Sequence, residues 1–227
     1  MDRIEVSIID GNLNPMPKFL ARLTQRGHLI NGMEDVEELY NSSMEGAPSE
    51  ALMTLPHTTI QRMNYLTVAV AGLSTKAVSQ LRTHAKRLTF VSTSTQYSDF
   101  SGCNDNYVFP QGMNDSEREF MSDAYRSIQR AYEILIDYGL DKDRASYILP
   151  QGLRKTLIIS GNLDDWNYVM RTRLCNRNTK EVQYIMRKIL NEIKVRYGEE
   201  YTVNMLPNCV RGKCLEGKFC CGKRFEL

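Results

Sequence analysis

The chain has 227 residues, of which 42% are apolar and 25% charged, with a formal net charge of +2. That length suffices for one substantial core, and so small a charge excludes the global positive field by which many proteins are drawn to nucleic-acid backbones. Any anion site must therefore be a local gathering of Arg and Lys.

Residues 1–12 carry acids at Asp2 and Glu5 and only a brief apolar stretch, Val6–Ile9, which is not the pattern of an export signal. No apolar run approaches the roughly 18–20 residues that a membrane span requires. The expectation is a cytoplasmic protein with no membrane partner, whose six cysteines are reduced thiols rather than a disulfide framework.

Arg3–Ile9 alternates and is rich in Ile and Val, which predicts a short first strand. Asn12–Pro17 reads as a turn, and Pro17–Arg26 and Met33–Ser42 as short helices separated at Gly27 and Gly32. After a Ser/Gly/Pro loop over Asn41–Pro48, Met63–Gly72 is β-branched and partly alternating, the signature of a strand. Ser74–Lys86 is helix sequence with Ser74 as N-cap and Ala77, Leu81 and Ala85 as its apolar stripe. Leu88–Ser101, crowded with Ser, Thr and aromatic residues, is expected to be an ordered loop whose hydroxyls face something polar.

Asn114–Gly139 is the clearest helix. Asn114 and Glu117 have capping-box spacing, Phe120, Ala124, Ile128, Ala131 and Leu135 are expected to form its apolar face, and Gly139 can end it. Leu149–Pro150 then precedes an apolar stretch at Leu157–Ile159. Asp164–Arg177 has helical composition, and Thr179–Tyr197 predicts a long helix with Val182, Ile185, Met186, Ile189 and Ile193 inward. The tail, Pro207–Leu227, is Gly-, Lys- and Cys-rich and expected to be irregular. The sum is an α+β fold with helices in the majority.

Two clusters could carry chemistry. In the first, Arg82, His84, Lys86 and Arg87 lie within six residues and run into the hydroxyl-dense segment Thr89–Ser98. Guanidinium forks and short hydroxyl donors are the groups that hold phosphate, although a solvated basic helix end entering a Ser/Thr turn gives the same pattern. In the second, Arg173, Arg177 and Glu181 follow at intervals of four, which on one helix would make a row. A surface salt-bridge ladder would show that spacing too.

The stretch His57–Tyr97 resembles the signature region of the flavin-dependent thymidylate synthases. The resemblance rests on His57-Thr58-Thr59, Thr67 ten residues after the His, Leu73-Ser74, Gln80-Leu81 with His84 four after Gln80, and Ser94-Thr95-Gln96-Tyr97. Ala145 to Pro150, then Asn162, Arg173 and Glu181, echo the family's later block in order and spacing, and Cys209-Val210-Arg211 to Cys221-Gly222 resembles tails found in part of the family. Several positions depart from its pattern. The arginines that flank the family's His sit here at Arg82 and Arg87, one residue is added between His84 and Ser94, and two nucleotide-binding arginines become Gln96 and Ser146, with Arg144 two residues before the latter. Arg62-Met63 replaces a Glu-His pair, and Arg177 replaces a His.

The resemblance implies a helix-rich α+β domain with a central, mostly antiparallel sheet over residues 1–206, followed by a Cys/Lys-rich tail at 207–227. It implies tightly bound FAD, with NADPH and methylenetetrahydrofolate as co-substrates, and methylation of dUMP at C5 without a cysteine nucleophile. By the same resemblance Arg173 contacts the uracil edge. Ser94, Gln96 and Arg144 bind the nucleotide, Arg82, His84 and Arg87 face the flavin and folate, and Thr59, Asn162 and Arg177 contact FAD. A homotetramer with active sites shared between subunits is implied, with small-molecule nucleotide and folate as partners and no stable nucleic acid. For His84, Thr59 and Asn162 a packed or capping side chain remains the alternative. For the chain, the alternatives are a flavoenzyme that modifies another pyrimidine nucleotide, for example by C5 hydroxymethylation, and a small basic nucleic-acid-binding module. Cys209, Cys214, Cys220 and Cys221 are spaced poorly for a structural zinc site, because adjacent ligands strain a tetrahedron, and no metal is expected.

Overall fold

The computed structural model describes residues 3–55 and 58–226, so Asp2 and His57 lie outside the described residues. Its centre is a sheet of four antiparallel strands, β1 (Glu5–Gly11), β2 (Tyr65–Ser74), β3 (Thr89–Ser92) and β4 (Arg154–Asn162), in the order β1-β2-β4-β3. Alternation sets one face: Ile8, Leu66, Val68, Val70, Leu157 and Ile159 are buried, while Ile9 and Val91 on the opposite face are exposed. Across that open face Thr67 and Ser160 share a hydroxyl–hydroxyl bond of 2.7 Å.

Three helices cover the apolar face: α5 (Thr75–Arg82), α8 (Leu163–Arg173) and α9 (Lys180–Tyr197). The helix α9 forms because Val182, Ile185, Met186, Ile189 and Ile193 recur at helical spacing, and all five are fully buried. Each such side chain contributes about 1.5–3 kcal/mol by leaving water. Trp166 of α8 is fully buried and its indole N–H donates to Leu66 O at 2.9 Å, pinning the helix to the middle of the sheet. At the N-terminal end lie α1 (Met16–Arg26), α2 (Met33–Ser42), α3 (Glu50–Met53) and α4 (Thr59–Arg62).

The long helix α6 (Asp115–Asp137) begins with the expected capping box of Asn114 and Glu117 and packs into a second, smaller core with Phe100, Tyr107 and Leu153. Its inward face differs from the expected one. Tyr125, Gln129 and Tyr132 are buried, whereas Phe120 is 79% exposed and Ala124 and Ala131 are exposed. Polar tips decide this: Gln129 accepts from the Tyr107 hydroxyl and donates to Phe100 O, both at 2.7 Å, so an amide and two phenols are satisfied inside. Reading only aliphatic and Phe positions turned the helix by about one residue.

Leu88–Ser101 is likewise corrected, since Thr89–Ser92 is the edge strand β3 before the loop begins. Pairing with β4 orders it, with Phe90 on the covered side and Thr89 and Val91 outward. The arginine row is not on one helix either. The helix α8 ends at Arg173, a turn spans residues 174–178, and Glu181 belongs to the first turn of α9. The short α7 (Lys142–Ala145) precedes β4. The tail is mostly irregular but contains α10 (Asn208–Arg211) and a 3-10 turn at Gly217–Phe219, and it returns Phe225 to the main core, where the residue is buried beneath the Arg187 guanidinium. Among the described residues no helix is long and apolar enough to cross a membrane.

The register of β2 against β4 shifts at Gly72, which has φ of +80° and whose missing side chain leaves room for Arg3 O only 2.4 Å from the position of a Cβ. Gly72→Ala should therefore cost about 1–3 kcal/mol, seen as a lower urea midpoint with an unchanged m-value.

Candidate active site

Arg173 is the hub of the cluster. Its Nε donates to His84 Nε2 at 2.7 Å, its Nη1 to Asn178 Oδ1 at 2.9 Å, and its Nη2 to Gln80 O at 3.0 Å and Thr83 Oγ1 at 2.7 Å. These four bonds join the end of α5, the end of α8 and the turn before α9. Every acceptor is neutral, and among the described residues no carboxylate forms an ion pair with Arg173. The guanidinium therefore keeps its full charge, with one N–H of its five left over.

His84 accepts from Arg173, so its proton is on Nδ1 and the ring is neutral. Burial, reinforced by the nearby Arg173 and Arg87 cations, lowers its pKa from 6.5 to about 4. Arg82 Nη2 donates to Ser92 Oγ at 3.2 Å, carrying the network to the end of β3. Arg87 pairs with Asp165 at 2.9 Å and stacks over the Tyr168 ring at 3.9 Å. Asn162 caps α8 by accepting from Asp165 N at 2.9 Å while its amide donates to the Asp165 carboxylate at 2.7 Å. Arg82, His84, Arg87, Asn162 and Arg173 thus gather at one corner of the molecule.

Beside this corner opens a cleft of about 460 Å³, lined by Ser74, Gln80, Tyr125, Gln151, Thr179 and Glu181 among others. Gln80 belongs to both regions: its carbonyl holds Arg173, and its Oε1 accepts from the Thr179 hydroxyl at 2.7 Å. Also in the cleft lining, the Glu181 carboxylate accepts from Ser74 N at 2.7 Å and Ser74 Oγ at 2.6 Å, and Ser74 Oγ in turn accepts from Ala77 N to cap α5. One carboxylate of α9 thereby fixes the start of α5, and Arg173 fixes its end.

The other expected site residues are not part of this centre. Ser94 accepts from the backbone N–H of Gln96 and Tyr97 in a hydroxyl turn, with Gln96 exposed. Arg144 is exposed and bound to Asp141 at 2.6 Å. Thr59 is exposed at the start of α4, and Arg177 pairs with Glu216 of the tail at 3.1 Å. None of these four, nor Ser94, lines the cleft.

A family model described as "Thymidylate synthase complementing protein" matches residues 15–197, four fifths of the chain and every element of this corner. The chain belongs to that family. A flavin-dependent thymidylate synthase of Geobacter sulfurreducens is 26% identical over 200 residues, covering 86% of this chain and 84% of that one. One of Sulfurisphaera tokodaii is 27% identical over 148 residues, covering 63% and 55%. Among solved structures, the UMP/dUMP methylase PolB of Streptomyces cacaoi bound with 5-Br dUMP superposes with a TM-score of 0.66 at 16% identity, over 88% of this chain and 94% of that one. Thymidylate synthase X of Helicobacter pylori with FAD and dUMP gives 0.62 at 14% identity, over 89% and 99%. These likenesses bear out the family resemblance and the α+β fold with its antiparallel sheet.

Sequence reasoning alone did not find Thr83 and Asn178, which complete the grip on this family member's Arg173, because neither shares a spacing pattern with it. The four tail cysteines, with Cys103 and Cys175, are free thiols, and no group of three metal-ligating side chains is assembled among the described residues.

The lowered pKa of His84 has a sign that can be checked. With a folded value near 4 against 6.5 when unfolded, the ring's contribution to stability is fully present above about pH 6.5 and is lost as pH falls toward 4. Urea midpoints should therefore drop between pH 7 and 4.5, and His84→Gln should flatten that part of the profile. An unchanged slope in the variant would refute the assignment.

Proposed function

We propose that this chain methylates dUMP at C5, taking the one-carbon unit from methylenetetrahydrofolate and reducing equivalents from NADPH by way of FAD. One observation carries the reading: Gln80, His84 and Arg173, separated by up to 93 residues, are bonded together beside a cleft that Gln80 lines with Ser74 and Glu181. These are the positions that resemble the family's motifs. The names of the relatives support a flavin-dependent methylation of dUMP.

The residues present fit a flavin dinucleotide. The exposed cations Arg82, Lys86 and Arg87 at the end of α5 offer the charge a pyrophosphate needs. The cleft of about 460 Å³ falls within the range of roughly 300–1,000 Å³ typical of ligand pockets. Arg82, His84 and Arg87 would hold FAD together with Thr59, Asn162 and Arg177, the last by exchanging Glu216 for phosphate. When bound, the flavin supplies the redox chemistry. The nucleotide phosphate falls to Ser94, Gln96 and Arg144. Arg173, charged and held only by neutral groups, stabilises negative charge developing on the uracil as C5 becomes nucleophilic. A second copy of the chain, in a homotetramer, would cover the exposed outer side of α6, where Phe120 and Tyr138 lie, and Tyr147 nearby.

Protein loaded with FAD should absorb near ~450 nm and form dTMP from dUMP when given methylenetetrahydrofolate and NADPH. Arg173→Ala should lower turnover by about 10²–10³-fold with flavin content unchanged. Absence of any methylated product from flavin-replete wild type would refute the reading. Gln96 and Ser146, in place of two arginines, favour running UMP in parallel and resolving 5-methyl from 5-hydroxymethyl products. A preference for either would redirect the substrate or outcome while keeping the flavoenzyme.

A further inference from the structure

Lys155 breaks the alternation of β4. It points to the same side as Leu157 and Ile159, where the pattern calls for an aliphatic residue, and it is only 7% exposed. Its Nζ donates to Thr93 O at 3.2 Å and lies 4.9 Å from the centroid of the Phe100 ring. Among the described residues no carboxylate forms an ion pair with it. The charged neighbour that bears on it is Arg82, of the same sign, and burial together with that cation lowers its pKa to about 8.

Buried charges in proteins are paired or bind ions, because removing an ion from water without a counter-charge is strongly unfavourable. Here two cations of like sign approach each other with no acid between them. The groups they reach are neutral: Arg82 donates to the Ser92 hydroxyl, Lys155 to the Thr93 backbone carbonyl, and Thr93 N donates to Thr156 O at 3.1 Å, continuing the β3–β4 ladder one residue past the strand. Ser92 is the last residue of β3 to pair, with Leu157, and Ser94 follows directly on the Thr93 carbonyl that holds the Lys155 ammonium. An anion is the missing member of this arrangement.

We propose that Lys155, backed by Arg82, is the buried cation of an anion subsite under the Ser92–Gln96 turn, and that it takes the phosphate of the pyrimidine nucleotide. The inference rests on the nucleotide reading given above and extends it: strand β4 supplies the positive charge that Gln96 and Ser146 do not. A phosphate there would accept from the ammonium and the Ser94 hydroxyl, with the Arg82 guanidinium adding positive charge at longer range. Selectivity for the phosphorylated over the free nucleoside would then reside in a lysine of the sheet.

The test compares dUMP with deoxyuridine on the flavin-loaded full chain by calorimetry, in wild type, Lys155→Met and Lys155→Arg. Lys155→Met should weaken dUMP by about 10–100-fold, leave deoxyuridine within about twofold, and keep the melting temperature, since it removes an unpaired charge from the interior. Lys155→Arg should recover most of the dUMP affinity. Equal dUMP affinity in wild type and Lys155→Met, or an equal loss for both ligands, overturns the proposal. A second measurement uses wild type alone and inorganic phosphate, following the Lys155 side-chain resonance in ¹³C-lysine-labelled protein. Phosphate should raise its titration midpoint, and no change at saturating phosphate overturns the subsite. If wild type binds neither dUMP nor deoxyuridine while phosphate still raises Lys155, the pyrimidine reading falls and the anion subsite stands.

Discussion

The contact on which the site depends is the bond between the Arg173 guanidinium and neutral acceptors from three segments of chain. An arginine opposite a carboxylate would be a structural strut with its charge cancelled. Held instead by an imidazole, a hydroxyl, a carbonyl and an amide, Arg173 is fixed in place as firmly and remains a net positive charge. His84 has to be neutral for this, because a protonated ring could not accept from Nε and would set two cations side by side. Burial and the neighbouring guanidinium groups enforce that neutrality together.

The fold exists to hold this corner still. Trp166 fastens α8 to β2, Asn162 caps its start, and the Glu181 carboxylate caps α5 through Ser74. Helices α5 and α8 therefore end at defined places, and the side chains at those ends meet. Ser94 and Arg144 bond only to residues two or three positions away, and Gln96 and Thr59 are exposed, which suits groups that must close on a ligand or meet a second subunit.

Helices such as α9 were legible because one face is apolar at all but Gln183 and strict in period. The long helix α6 was legible in extent but not in orientation, since its inward groups are two tyrosines and a glutamine whose polar tips find partners 17 to 32 residues away. Strand β3 was hidden for another reason: Thr89, Phe90 and Val91 favour a strand, but the run is short and merges into a Ser/Thr-rich loop, and only the ladder with β4 sets its limits.

The sequence by itself determined the family, the order of its motifs and the character of the regular helices, because these rest on local periodicity, capping chemistry and residue types at short spacing. It could not determine that Arg173 and Glu181 lie on different helices and hold the two ends of α5, or that Lys155 is a buried cation without a counter-charge. Those facts are products of long-range packing: which groups share a dielectric environment, and which charges meet, is decided only when segments distant along the chain are brought into contact.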